Sequence, residues 1–257
     1  DTKNITIAEA LKSNGYKTGH VGKWHIAINH YAFPQPVDEG FDFSSHYHGN
    51  SQARGVQNGM PNRLQGFATK KENDPYRLDE NGYPRDHVTE EALRFLSENK
   101  KNPMFLYYAS WLVHTPIQTR SKLLLEKYCE KLGVDYPDDP KGWTLEGQRN
   151  PYYCAMVETL DYYVGKVIGY LQETEDPRWP GHKLIENTYV IFSSDNGGME
   201  GYSNIVFTDN YPLDEGKIHV REGGIRVPFL VSGPEIDGGV RSEVVVNGLD
   251  FYPTILG

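Results

Sequence analysis

The sequence predicts an α/β fold in which a mainly parallel sheet is covered by helices on both faces. Three observations carry this. Segments with helical periodicity alternate with short apolar runs of strand length. Two of those runs, Met104-Phe105-Leu106-Tyr107-Tyr108-Ala109 and Thr188-Tyr189-Val190-Ile191-Phe192, are continuous rather than alternating, as in strands buried on both sides. The chain has 257 residues and 38% hydrophobic content, enough to bury one sizeable core.

Taken in order, Thr6-Ile7-Ala8-Glu9 is a capping box, with Thr6 accepting from the third helical N–H and Glu9 reaching back. The helix it starts runs to Asn14, and Gly15 suits a left-handed stop. Tyr16 to Val21 then reads as a strand, which places Gly22-Lys23-Trp24-His25 at its carboxyl end, where ligands sit in open α/β sheets. From about Ala32 to Arg85 the chain is rich in Pro, Gly, Asn, Asp and Gln without a sustained period, and is expected to form a long irregular rim over a site. Val88, Ala92, Phe95 and Leu96 mark a helix, Met104 to Ala109 a buried strand, and Leu160, Val164, Val167, Ile168 and Leu171 a second long helix. A turn rich in Pro and Gly at 176–181 leads to the strand at 188–192, which runs into Ser193-Ser194-Asp195-Asn196-Gly197-Gly198. A last strand is expected at Pro228 to Ser232, and a helix begins near Asp250. There is no internal repeat and no low-complexity segment.

Composition excludes some functions. With 26 Lys+Arg against 35 Asp+Glu, the net charge of -9 argues against a nucleic-acid partner. No apolar run approaches the roughly 20 residues that span a membrane. Cys129 and Cys154 have neither CxxC spacing nor a histidine pair nearby and read as ordinary cysteines. Asn4-Ile5-Thr6 fits a glycosylation pattern too short to define a compartment. The 18 tyrosines and four tryptophans suit a sugar-binding surface and equally an aromatic core.

Three expected strands end in polar clusters: Lys23/His25, His114 and Asp195/Asn196. If those strands are parallel neighbours, the clusters meet on one sheet edge. Asp195 and Asn196 offer hard oxygen ligands suited to Ca2+ or Mg2+, although Asp-Asn-Gly-Gly is also turn chemistry. Lys23, His114 and Lys217 supply donors for a tetrahedral anion, and a histidine can transfer a proton near neutral pH. Each of the three alone also reads as an ordinary strand-end or loop residue.

Gly15-Tyr16-Lys17-Thr18 with Gly22-Lys23-Trp24-His25 resembles the second signature of the sulfatase family, a G-Y-x-T strand ending in G-K-x-H. The resemblance continues in the same order through His114-Thr115-Pro116, Asp195-Asn196-Gly197, Lys217, Glu222-Gly223-Gly224-Ile225-Arg226-Val227-Pro228 and Asp250 to Leu256, and so spans nearly the whole chain. It implies a type I sulfatase with an alkaline-phosphatase-like α/β fold and a mixed, mainly parallel sheet. Such enzymes hydrolyse sulfate esters with a formylglycine nucleophile beside a calcium ion. By this resemblance Asp195 and Asn196 are two of the metal ligands. Lys23 and His25 stabilise the formylglycine hydrate, and His25 assists sulfate release. His114 and Lys217 hold sulfate oxygens and help protonate the leaving alcohol. It also implies a sulfated carbohydrate or other sulfate ester as substrate and a periplasmic or secreted location. His46, His48 and Arg54, in the irregular rim, become candidate contacts to the sugar.

The family's nucleophile lies in a C/S-x-P-x-R motif upstream of G-K-x-H, and the 257 residues contain none. Cys129 is followed by Glu-Lys-Leu-Gly, Cys154 by Ala-Met-Val-Glu, and Ser232-Gly233-Pro234 by Glu235-Ile236. The chain, which starts at Asp1, is therefore expected to be part of a sulfatase catalytic domain, without the first strand, the nucleophile, half of the metal site or the small C-terminal subdomain. Two other functions compete. One is a metal-dependent phosphatase or phosphodiesterase of the same superfamily, for which Gly198 stands where a further ligand such as His is usual. The other is a non-catalytic glycan-binding descendant.

Overall fold

The computed structural model describes residues 4–27, 32–48, 66–115, 117–135, 149–200 and 207–257. In chain order the elements are α1 (Ile7–Ser13), β1 (Lys17–Trp24), β2 (Phe43–His48), α2 (His87–Asn99), β3 (Met104–Ala109), α3 (Lys122–Leu132), α4 (Pro151–Glu173), β4 (Val190–Ser193), α5 (Glu222–Ile225), β5 (Phe229–Ser232) and α6 (Phe251–Leu256). The capping box at Thr6 is present, with Glu9 N–H donating to Thr6 Oγ1 at 3.1 Å and Thr6 N–H to Glu9 Oε2 at 2.8 Å.

Strand β1 is central, parallel to β2 on one edge and to β3 on the other. Its residues 18–22 are all buried, so the alternation expected at 16–21 gives way to a strand covered on both faces. On one face α1 packs Ala8 against Trp24, Phe41 and Phe105. On the other, α2 places Val88 and Ala92 on Val21, and its Phe95 and Leu96 join Leu171 of α4. The result is three layers. Thr18 is fully buried, and its hydroxyl donates to the Gly40 carbonyl at 2.8 Å and accepts from Asp42 N–H at 3.0 Å, which seats the entry to β2.

The structure differs from the sequence expectation in four respects. The strand ending at Asp195 is not a parallel neighbour of β1 and β3. Among the described residues β4 pairs antiparallel with β5 in a separate two-stranded sheet. The 32–85 region is not irregular throughout. It contains β2, a 3-10 turn at Pro36–Glu39 and a bridge between Leu78 and Pro84. Helix α3 was not expected; Ser121 caps it, and its Leu125 and Cys129 join Met156 and Tyr163 of α4 in a core cluster. Finally, β1 runs on to Trp24, past the Tyr16–Val21 expected, so that Gly22 to Trp24 form its carboxyl end as the sequence suggested. Both cysteines are free, as expected.

Between α4 and β4 the buried Asp176 accepts from Arg178 N, Nε and Nη2 at 2.8, 3.0 and 2.9 Å, and from Asn187 Nδ2 at 3.3 Å. Arg178 Nη1 donates onward to the Asn102 carbonyl, tying this loop to the end of α2. The Arg178 hydrogen bond holds the Asp176 carboxyl at about 2, below its usual 3.8. A lowered pKa in the folded state stabilises above the unfolded value and is lost as pH falls through the folded one. The contribution of Asp176, roughly 2 kcal/mol, should therefore be complete above about pH 5 and fade toward pH 2. Comparing urea midpoints of wild type and Asp176→Asn at pH 7 and pH 3 checks this: the gap between them should narrow at pH 3.

Gly22 has φ +97° where β1 meets β3, and a Cβ there would collide with the Ala109 carbonyl oxygen and press on Val88. Gly22→Ala should therefore lower the unfolding free energy by at least about 2 kcal/mol, read from the same midpoints.

Candidate active site

Gly22 kinks β1 just before Lys23, and the lysine crosses from the parallel sheet to the end of β4. Its Nζ lies 2.8 Å from Asp195 Oδ2. The clusters at the ends of β1 and β4 thus meet by a side-chain bridge between two sheets, not by strand pairing. The same ammonium stands 5.4 Å from the ring centre of Trp111, a buried residue in the turn after β3. The His114 ring meets Trp111 edge-on at 5.9 Å. His114 Nδ1 lies 3.0 Å from the Thr115 carbonyl, which only accepts, so this hydrogen-bond network puts the proton on Nδ1. Thr115 Oγ1 lies 3.1 Å from the same nitrogen and fixes the ring further. Trp111 therefore joins Lys23 to His114. His25 is exposed immediately past β1.

Lys217 is mounted on a backbone knot. Its N–H donates to the Gly198 carbonyl at 2.8 Å, and Gly197 N–H donates to the Gly224 carbonyl at 2.9 Å. A Cβ on Gly197 would run into the Gly223 carbonyl, and one on Gly223 into the Glu215 carbonyl. Loops 196–198, 214–217 and 222–225 can approach this closely only because glycines stand at the contacts. Asn210 Nδ2 bridges the Gly198 and Glu215 carbonyls at 3.1 and 3.0 Å. The knot fixes where the residues following Asp195 turn and where Lys217 emerges.

Burial in the surrounding protein pushes the Asp195 carboxyl up. The Lys23 hydrogen bond and the charges of Lys23 and Lys217 outweigh it and hold the carboxyl below the usual range. Asn196 Nδ2 donates to the Gly197 carbonyl at 2.9 Å, which leaves its amide oxygen as an acceptor. A carboxylate and an amide oxygen are hard ligands of the right kind for Ca2+ or Mg2+, but such ions take six to eight oxygens. Among the described residues no group of three or more His, Cys, Asp or Glu is placed to hold a metal. The donor types fit the ion; their number supplies only part of a coordination shell.

Of the expected site residues, Lys23 binds Asp195 and stands over Trp111, whose ring His114 also meets, and Lys217 acts on Asp195 through its charge. His46 and His48 lie on the β2 backbone opposite Gly22 and Trp24; their side chains, Arg54 and Pro116 fall outside the described residues. A groove of about 510 Å³ bounded by residues 70–86, α2 and α4 contains none of the candidate residues. Sequence reading passed over Trp111 and the buried His20. The signal for His20 was available: a histidine in the middle of an otherwise apolar buried strand.

An alkaline-phosphatase-like α/β fold, with lysines, histidine, carboxylate and amide collected at one end of its strands, is the class that fold and site define together. The Sulfatase family model matches residues 2–257, and the chain belongs to that family. A sulfatase of Formosa agariphila is 34% identical over 196 residues, covering 72% of this chain and 32% of the relative. An arylsulfatase of Hemicentrotus pulcherrimus is 29% identical over 256 residues, covering 95% of this chain and 40% of the relative. The solved structure of Ps i-CgsB in complex with k-i-k-neocarrahexaose superposes with a TM-score of 0.66 at 27% identity, over 99% of this chain and 53% of that one. The chain spans less than half the length of the two curated relatives.

The Lys23–Asp195 pair is asymmetric, with the lysine side chain 20% exposed and the aspartate 64%. A half-wet ion pair contributes little to stability. A double-mutant cycle with Lys23→Met and Asp195→Asn should give a coupling of less than about 1 kcal/mol in urea denaturation, which would mark the pair as a device of placement rather than of folding.

Proposed function

We propose that this chain carries the supporting part of a sulfate-ester-hydrolysing centre that acts on a sulfated carbohydrate. The 2.8 Å contact between Lys23 Nζ and Asp195 Oδ2 carries the reading, because it joins the G-K-x-H end of β1 to the Asp-Asn-Gly end of β4. In this reading Lys23 and His25 support a hydrated formylglycine supplied from outside these 257 residues, and His25 assists release of sulfate. His114 and Lys217 hold sulfate oxygens and deliver a proton to the departing alcohol. Asp195 and Asn196 provide two oxygen ligands to a calcium (alternatively magnesium) ion, which when bound neutralises charge on the sulfate. Lys23 is then the counter-ion that keeps Asp195 ionised and oriented.

The sugar part of the proposal is supported by the relatives' names. An ulvan-active sulfatase of Formosa agariphila is 26% identical over 265 residues, and an N-acetylgalactosamine-6-O-sulfatase of Bacteroides thetaiotaomicron is 24% identical over 323. In the same reading His46, His48 and Arg54 are contacts to that sugar. A periplasmic or secreted address belongs to the same reading; no described helix is long and apolar enough to cross a membrane.

Two measurements test the proposal. Without a nucleophile, residues 1–257 should not turn over an aryl sulfate; hydrolysis that depends on Lys23 or His25 would sink the idea. Inorganic sulfate should nevertheless raise the unfolding temperature of the chain by binding the folded state. Lys23→Ala and Lys217→Ala should each weaken that effect about tenfold in sulfate concentration, which corresponds to losing one charge-assisted hydrogen bond. Phosphate stabilising the chain far better than sulfate would favour the phosphatase alternative.

A further inference from the structure

We propose that His20 is a positioning residue for Lys23: its imidazole holds the bend that aims the lysine at Asp195. The inference rests on the reading of Lys23 given above. His20 is fully buried in β1, and its Nε2 lies 3.1 Å from the carbonyl oxygen of Lys23. In a regular strand, residues three apart are separated by about 10 Å, and a side chain does not reach the later carbonyl. Between the two, Gly22 takes a left-handed backbone value, φ +97°, so that β1 departs locally from regular strand geometry while keeping its register with β2. A carbonyl only accepts, so Nε2 carries the proton and donates.

The ring has little freedom. Trp24, Phe41 and Tyr107 meet it edge-on at 5.1, 5.4 and 5.4 Å between centres. Such a box fixes the plane of the imidazole and hence the direction of its N–H. The backbone oxygen of Lys23 is pinned on one side of the strand while its side chain leaves toward Trp111 and Asp195. An apolar residue at position 20 would fill the box equally well but would leave the bend without its donor.

The test uses the 257-residue chain and inorganic sulfate, followed by calorimetry. His20→Phe keeps the ring packing and removes the donor; sulfate affinity should fall about tenfold. His20→Gln, which offers an amide N–H, should recover most of the loss. If Lys23→Ala weakens sulfate binding while His20→Phe leaves it at the wild-type value, His20 is a core residue only; the proposal is then overturned and the reading of Lys23 stands. If Lys23→Ala changes nothing, both fall. Nitrogen-15 NMR of the wild-type imidazole gives an answer that requires no variant to fold. The proposal expects a proton on Nε2 protected from exchange, and an unprotonated Nε2 overturns it.

Discussion

Strand β1 is hydrogen-bonded on both edges and covered on both faces, so a residue at its end is placed by four neighbours at once. That confinement leaves almost no space along the strand. Gly19 lies under the Phe95 ring, and Gly22 lies against the Ala109 carbonyl, where any side chain would collide. Interiors packed at crystal-like density transmit such constraints rather than absorbing them. Gly22 is therefore held where a side chain has no room. Pairing with β3 stops at Gly22, and Lys23 leaves the sheet from a position held by β2 and by the backbone at Gly22.

The second sheet answers with a different constraint. β4 and β5 are four residues each and largely exposed, and they supply little hydrophobic anchoring. What holds Asp195 and Lys217 is the glycine-lined knot, built from backbone hydrogen bonds among residues 197–198, 210, 214–217 and 223–224. One half of the site is thus fixed by side-chain packing and the other by backbone contact. Lys23 is the member that spans them.

How much of this is legible in the sequence depends on whether the signal is local. Helices α2 and α4 announce themselves by apolar spacing, and β3 by an uninterrupted apolar run, because burial on a regular element repeats with its period. Strand β2 does not: Phe43-Ser44-Ser45-His46-Tyr47-His48 has neither pattern, and it becomes a strand because Thr18 and Asp42 bring it into register with β1. Helix α3 hid because its buried Leu124, Leu125 and Cys129 are interleaved with five charged residues. The antiparallel β4–β5 pairing joins strands far apart in sequence, and two four-residue runs do not encode its direction. The motif residues Lys23, His114 and Asp195 were legible as strand-end polar groups, whereas the Lys23–Asp195 contact is a bridge between sheets that no local pattern describes.

The exposure of the central pair bears on how the site works. Two unit charges at about 4 Å attract by roughly 4 kcal/mol at the effective dielectric of a protein surface and by about 1 kcal/mol in water. Lys23 sits on the drier side, over an indole, and Asp195 on the wetter one. The lysine, as the drier partner, has the less solvent to turn to if it leaves Asp195. The aspartate retains a second oxygen and solvent access, so it can accept another cation without leaving Lys23. Under the proposed function, an acidic chain needs its cations held where the overall field does not disperse them. Anchoring Lys23 from behind, through the kink at Gly22, and from below, through Trp111, meets that need while leaving the carboxylate free to share.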